Sequence, residues 1–147
     1  MLLAKIILSI TATVWICYGG WLLVDPTGLR YAGFALDNWS TLVEVQAMYG
    51  AVEMMLGVFA LLGVMNPKRY MHSALLLWFF IYTALVVGRV IGISMHMDMG
   101  ATFAIANFGP EGLPDSYNPG AMWFLELPSS ILCLIALIKT SKLPELQ

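Results

Sequence analysis

The sequence predicts an all-α membrane protein, a four-transmembrane-helix antiparallel bundle with both termini cytoplasmic. Of its 147 residues, 60% are hydrophobic and 11% are charged, whereas a soluble domain has about 45–50% apolar and about 25% charged residues. Four segments each hold the roughly 20 mostly apolar residues that a helix needs to cross a bilayer. Nearly all basic residues outside these segments lie at one end of the expected bundle.

The predicted spans form one domain over residues 1–147 and cover about residues 3–24, 41–65, 70–94 and 120–138. Asp25-Pro26 ends the first span and Asn66-Pro67 ends the second, because the residue before a proline is disfavoured in helical geometry. Only residues 66–69 join the second and third spans, so these helices are predicted to be antiparallel neighbours. The longer loops, 25–40 and 95–119, then lie at the opposite side of the membrane.

The basic residues predict the orientation. Those that accompany the termini and the short turn are Lys5, Lys68, Arg69, Lys139 and Lys142, while Arg30 alone falls on the other side. By the positive-inside rule, the termini and the short turn are therefore cytoplasmic. The longer loops are expected to face outward.

Composition argues against two classes of function. The formal net charge is −2, and the chain contains no run of Lys or Arg, so nucleic acid is not an expected partner. Cys17 and Cys133 both fall inside apolar spans without a CxxC motif, so neither a disulfide framework nor a metal knuckle is indicated.

Ionisable side chains inside the spans are the candidate functional residues. An isolated charge at bilayer depth costs at least ~2.5–3.5 kcal/mol, so each such residue needs a partner. Glu53, Arg89 and Glu126 lie on three different spans. A rise of ~1.5 Å per residue places Arg89 and Glu126 at one level, which predicts an ion pair with Gln46 beside it.

Glu53 is predicted to lie about 10 Å deeper than Arg89, at the level of Tyr82. It shares a helical stripe with Gln46 and Tyr49. Without a cation at that depth, burial favours the protonated carboxyl, which would donate to Tyr82 or to a backbone carbonyl. A buried acid of this kind is a candidate ligand anchor or proton relay.

Three polar residues belong near the outer boundary. Glu44 precedes Glu53 by nine residues, half a turn out of phase at ~100° per residue, so the two are not expected to line one site on a regular helix. His96 and Asp98 are weak candidates for a metal site with a nearby acid. The chain has only two histidines, and His72 lies at the other end, so no metal and no cofactor is expected.

The polar residues allow a structural interpretation as well as a functional one. Buried polar groups fix the register of spanning helices, at ~0.6 kcal/mol per interhelical hydrogen bond on average. Gly50, Gly57, Gly88 and Gly92 are expected to let helices approach closely in either case. The open alternatives are a purely structural cluster, a ligand pocket, and a proton or ion pathway.

Three short motifs carry a family resemblance: residues 44–53 (EVQAMYGAVE), residues 88–92 (GRVIG) and residues 126–128 (ELP). With these motifs the chain resembles a family of small bacterial four-helix membrane proteins catalogued as a domain of unknown function and broadly similar to DoxX-like proteins. The resemblance implies a four-helix bundle in the bacterial inner membrane and supports roles for Glu44, Glu53 and Arg89. Where such proteins are expected to carry a basic residue, this chain has Gln46. The resemblance implies no activity.

The function expected from these observations is that of an integral membrane binding or accessory protein. Its partners would be membrane lipids, a lipid- or quinone-like molecule, other membrane subunits or further copies of itself. A membrane enzyme acting on an apolar substrate, with Glu53 as acid/base and Arg89 holding a polar head, is the alternative, and a proton or ion pathway is the third hypothesis. Binding predicts an apolar cavity beneath Arg89, whereas conduction predicts a polar path past Glu53.

Overall fold

The protein is described by a computed structural model that covers residues 1–32, 34–96 and 122–141. Its helices that are long and apolar enough to cross a membrane are α1 (Leu2–Val24), α2 (Trp39–Met65), α3 (Pro67–Met95) and α4 (Met122–Thr140). A 3₁₀ helix, Pro26–Ala32, follows α1. The predicted all-α membrane fold is confirmed, and the span boundaries agree to within three residues. Most of the predicted outer loop 95–119 lies outside the described residues.

Local capping explains where α2 and α3 begin. The Asn38 side-chain oxygen accepts hydrogen bonds from the backbone N–H of Thr41 at 2.9 Å and from its hydroxyl at 3.1 Å, which starts α2 two residues earlier than predicted. Pro67 occupies the first turn of α3, where its missing N–H costs nothing. Asn66 alone therefore separates α2 from α3, and the two form a tight antiparallel hairpin.

Glycines bring the backbones of α1 and α2 together. A Cβ added at Gly19 would lie 2.5 Å from the backbone nitrogen of Met54 and 2.6 Å from the carbonyl oxygen of Gly50. A Cβ added at Gly57 would lie 2.8 Å from the backbone nitrogen of Ile16. Because lipid removes the hydrophobic drive between spanning helices, small residues that permit such contacts are a main source of association.

Gly88 and Gly92 were also expected to let helices approach closely, and that prediction is wrong. Within the described residues, a Cβ added at either position would meet no atom within 4 Å. Gly88 is exposed on the outer half of α3. Close approach to α3 occurs instead near the opposite end, where a Cβ on Gly63 would lie 2.9 Å from Cβ of Ala74.

Two apolar clusters fill the bundle. The larger one lies toward the termini and the Asn66 turn and includes Leu8, Ala60, Leu75 and Trp78, all 0% exposed. The smaller one lies at the other end and contains Leu22, Leu29, Leu36 and Val45. Tyr18 and Tyr49 pack against the smaller cluster. The polar side chains of the spans therefore lie between two apolar layers.

Two helices contain π-helical sections, in which hydrogen bonds run from residue i to i+5. One is Gln46–Val52 in α2 and the other is Met122–Glu126 in α4. Each residue of a π section advances the helix by less than the ~100° of a regular α-helix. A regular helix would place Glu44 and Glu53 half a turn apart, and this section, which lies between them, reduces that offset. Glu44 is exposed in the structure.

The α1–α2 contact predicts opposite effects for two adjacent glycines. Gly19→Ala should lower the unfolding free energy by about 1–3 kcal/mol, because the added methyl group meets backbone atoms of α2. Gly20→Ala is the matched control, since its nearest contact is the sulfur of Met54 at 4.0 Å. That variant should gain up to about 1 kcal/mol from helix propensity. Thermal unfolding in detergent measures both, and equal melting temperatures would contradict the proposed contact.

Candidate functional site

Arg89 of α3 and Glu126 of α4 form the expected ion pair. The Arg89 Nε–H donates to both carboxylate oxygens of Glu126, at 2.9 and 2.7 Å, and Nη2 donates to Oε1 at 2.6 Å. The Glu126 side chain is 4% exposed and that of Arg89 is 32% exposed. A carboxylate buried this deeply requires a charged donor, so the pair fixes α3 against α4.

Tyr82 does not contact Glu53, contrary to expectation. Its hydroxyl accepts a hydrogen bond from Nε1 of Trp15 at 2.9 Å and lies 3.4 Å from the hydroxyl of Thr11. The Tyr82 ring packs on Trp15 and Trp78, with ring centroids 6.3 and 5.3 Å away. This aromatic contact directs the hydroxyl toward α1 and away from α2, where Glu53 lies.

Ser130 of α4 makes a further polar contact with α3. Its hydroxyl lies 2.8 Å from that of Thr83, and either group can donate. This hydrogen bond joins α3 to α4 one helical turn from Glu126. The hydroxyl and the ion pair together fix the register of these two helices.

Glu53 combines partial burial with an unpartnered oxygen. Among the described residues, its Oε2 is enclosed and has no hydrogen-bond partner. Glu53 therefore keeps one carboxyl oxygen unsatisfied inside the bundle.

Gln46 stabilises a helix end and does not join the ion pair. Its side-chain Nε2 donates to the carbonyl oxygen of Leu23 at 2.8 Å. Leu23 lies in the last turn of α1, where carbonyl groups lack a partner within the helix. The amide of Gln46 is thus used to attach α2 to the outer end of α1.

Tyr49, Glu44 and His96 are further described candidates from the sequence. The Tyr49 ring makes an edge contact with Phe34, with centroids 5.4 Å apart. Glu44 and His96 are exposed, and Asp98 lies outside the described residues. Within the described part of the chain, no group of three His, Cys, Asp or Glu side chains is placed to hold a metal ion.

A groove of ≈ 70 Å³ lies between α1 and α4. Its lining is mostly apolar, with hydroxyl groups from Thr11, Tyr82 and Ser129. The remaining lining residues are Ile7, Ile10, Val14, Leu125 and Leu132. Leu125 and Ser129 flank Glu126 along α4, so the groove begins beside the ion pair and continues toward the chain termini.

The sequence interpretation missed this groove, although a signal for its α1 wall was present. Ile7, Ile10, Thr11 and Val14 recur at spacings of three and four and form one helical stripe. Leu125, Ser129 and Leu132 do the same on α4. Periodicity shows that each stripe exists, but it does not show that the two stripes face each other across a gap.

Four spanning helices, a buried ion pair between the last two, and a second acid in the interior define a small multi-pass membrane protein with a polar interior. The chain belongs to the family described as "Domain of unknown function (DUF4345)", whose model matches residues 3–111. The matched region contains Glu44, Glu53 and Arg89 and ends before Glu126. No curated protein and no solved structure matches the chain.

The unequal burial of the ion pair predicts unequal effects of breaking it. Arg89→Gln leaves the Glu126 carboxylate buried without its cation and should cost about 3–5 kcal/mol of stability. Glu126→Gln should cost less, because the Arg89 side chain is 32% exposed and can reorient. The double variant should recover part of the loss. Thermal unfolding of the three variants in one detergent measures this order, and a larger loss for Glu126→Gln would contradict it.

Proposed function

We propose that this protein is a non-catalytic membrane protein that binds a lipid-like molecule in the groove between α1 and α4. The groove itself carries the proposal. It has apolar walls from both helices and hydroxyl groups at its base, and it lies beneath the Arg89–Glu126 pair. An apolar wall with a few polar groups is typical of sites for small apolar ligands.

The packing of α1 supports a binding role for this seam. Gly19 and Gly57 draw one face of α1 into backbone contact with α2. The opposite flank, from Ile7 to Val14, lies against α4 without closing the space between the helices. If the polar residues had only a structural role, larger side chains that filled the groove would stabilise the bundle through added dispersion contacts.

The membrane and orientation are part of the proposal. The family resemblance and the positions of the basic residues support a bacterial inner membrane with cytoplasmic termini. A quinone-like molecule or a partner membrane subunit would also suit an apolar seam. The mass of the bound species distinguishes these occupants from a phospholipid.

Filling the groove should displace its occupant. Leu132→Trp places an indole in the lining, whereas Leu134→Trp adds the same group two residues away, outside the lining. Both leucines are 42% exposed and lie on α4, so the second variant is a matched control. Native mass spectrometry of protein purified in mild detergent should show an extra bound mass on wild type and Leu134→Trp. Leu132→Trp should lose it.

Two results would contradict this proposal. One is wild-type protein that carries no bound mass, and the other is equal retention by both tryptophan variants. A bound polypeptide that Leu132→Trp removes would assign the groove to a membrane subunit instead of a lipid.

A second candidate function, a membrane enzyme, is favoured by Glu53. Its Oε2 is enclosed and lacks a hydrogen-bond partner among the described residues. An acid/base residue must exchange a proton with its substrate, and an unpartnered carboxyl is suited to that role. Arg89 would then hold a polar head group of the substrate.

Comparative lipidomics tests this candidate. Cells producing wild-type protein or Glu44→Gln should share a changed lipid species, while cells producing Glu53→Gln should lack that change. Glu44→Gln is the matched control, because Glu44 is an exposed acid on the same helix. The same lipid profile with all three proteins would eliminate the enzyme candidate.

The proton or ion pathway finds less support. Among the described residues, most of those that fill the bundle between Glu53 and the Asn66 turn are apolar, and Leu8, Ala60, Leu75 and Trp78 are 0% exposed. A proton relay through this layer would need polar groups or water that these side chains do not provide.

A further inference from the structure

The groove crosses the middle of the membrane-spanning part of the bundle. Along α1, Ile7 is about 7–8 Å and Val14 about 18 Å from Leu2, the first residue of the helix. Along α4, Leu132 is about 12 Å and Leu125 about 22 Å from Thr140, the last residue of the helix. Half of a bilayer core is ~15 Å thick. The groove is therefore centred near the midplane, and its nearer end reaches ~7–8 Å into the leaflet that borders the chain termini.

The boundary of that leaflet is basic. Described residues at this end include the basic side chains Lys5, Lys68, Arg69 and Lys139 and no acid. In the sequence, Lys142 and Glu145 follow beyond the described residues. The opposite end of the groove begins beside Glu126, whose carboxylate already pairs with Arg89.

Lys139 alone among these four continues the wall of the groove. Leu125, Leu132 and Lys139 are spaced by seven residues and lie on one stripe of α4, and Lys139 is exposed. Lys139 is ~10 Å beyond Leu132, toward the boundary. Lys5 is turned ~200° from Ile7 around α1 and lies on its other face. The guanidinium of Arg69 stacks over the ring of Tyr70, 5.0 Å from its centroid.

We infer that the occupant of the groove is an acyl chain of an anionic phospholipid whose phosphate group pairs with Lys139. This inference rests on the proposed function and identifies its ligand class. The chain runs from the basic boundary along Leu132 to Leu125, and the head group remains at the surface of the leaflet. A lysine ammonium acts on the phosphate as a point charge, and basic residues between spanning helices bind anionic head groups in this way.

Two phospholipids with the same acyl chains test the head-group assignment. Delipidated full-length protein is titrated with dioleoylphosphatidylglycerol or dioleoylphosphatidylcholine, and native mass spectrometry measures the bound fraction. Wild type should bind the anionic lipid about five-fold more tightly than the zwitterionic one. Lys139→Gln should abolish this preference. Lys68→Gln, which removes an exposed charge from the same boundary but from another helix, should retain it.

Loss of the preference in Lys68→Gln to the same extent would show a diffuse surface charge and overturn the assignment to Lys139. A wild-type protein without any preference would overturn it as well. Leu132→Trp separates this failure from that of the proposed function. If Leu132→Trp loses both lipids while wild type binds them equally, lipid binding in the groove is supported and the assignment of an anionic head group is wrong. If Leu132→Trp binds both lipids like wild type, the groove proposal itself fails.

Discussion

A carboxylate enclosed within a membrane protein has to be compensated by the protein, and Glu126 meets this requirement through Arg89. The three short hydrogen bonds between them hold α3 and α4 at a fixed height. The register of α4 places Ser130 opposite Thr83 and exposes Leu125, Ser129 and Leu132 to the groove. Without the pair, an uncompensated charge would remain in the interior, and α3 and α4 would lose three hydrogen bonds that fix their register.

The two faces of α1 are used differently. One face contacts the backbone of α2 through glycines and is tied at its outer end by the Gln46 amide. The other face carries apolar side chains along a groove shared with α4. Trp15, Thr11 and Tyr82 lie between these surfaces and close the base of the groove through hydrogen bonds and ring contacts. Tight packing on one side of α1 thereby leaves the groove accessible on the other side.

Sequence patterns predicted the helices well because hydropathy and proline positions act locally. The Arg89–Glu126 pair was also predictable, since each residue needs a partner and both lie at similar depth. The partners of Tyr82 and Gln46 were not predictable in this way. Aromatic packing decides where the Tyr82 hydroxyl points, and an unpaired carbonyl at the end of α1 decides where the Gln46 amide binds. The position of an exposed glycine such as Gly88 likewise depends on how the helices are arranged.

The π-helical section Gln46–Val52 changes the direction in which the later side chains of α2 point. The turns before it and the turns after it are rotated relative to each other about the helix axis, so one regular period does not describe the side-chain directions of the whole helix. Residues that a single period assigns to opposite faces are brought toward one side, and residues assigned to one face are separated. Glu53 is the first residue after this section. The direction in which Glu53 points is therefore set by the part of α2 that follows the π-helical section, whereas Glu44 belongs to the part that precedes it.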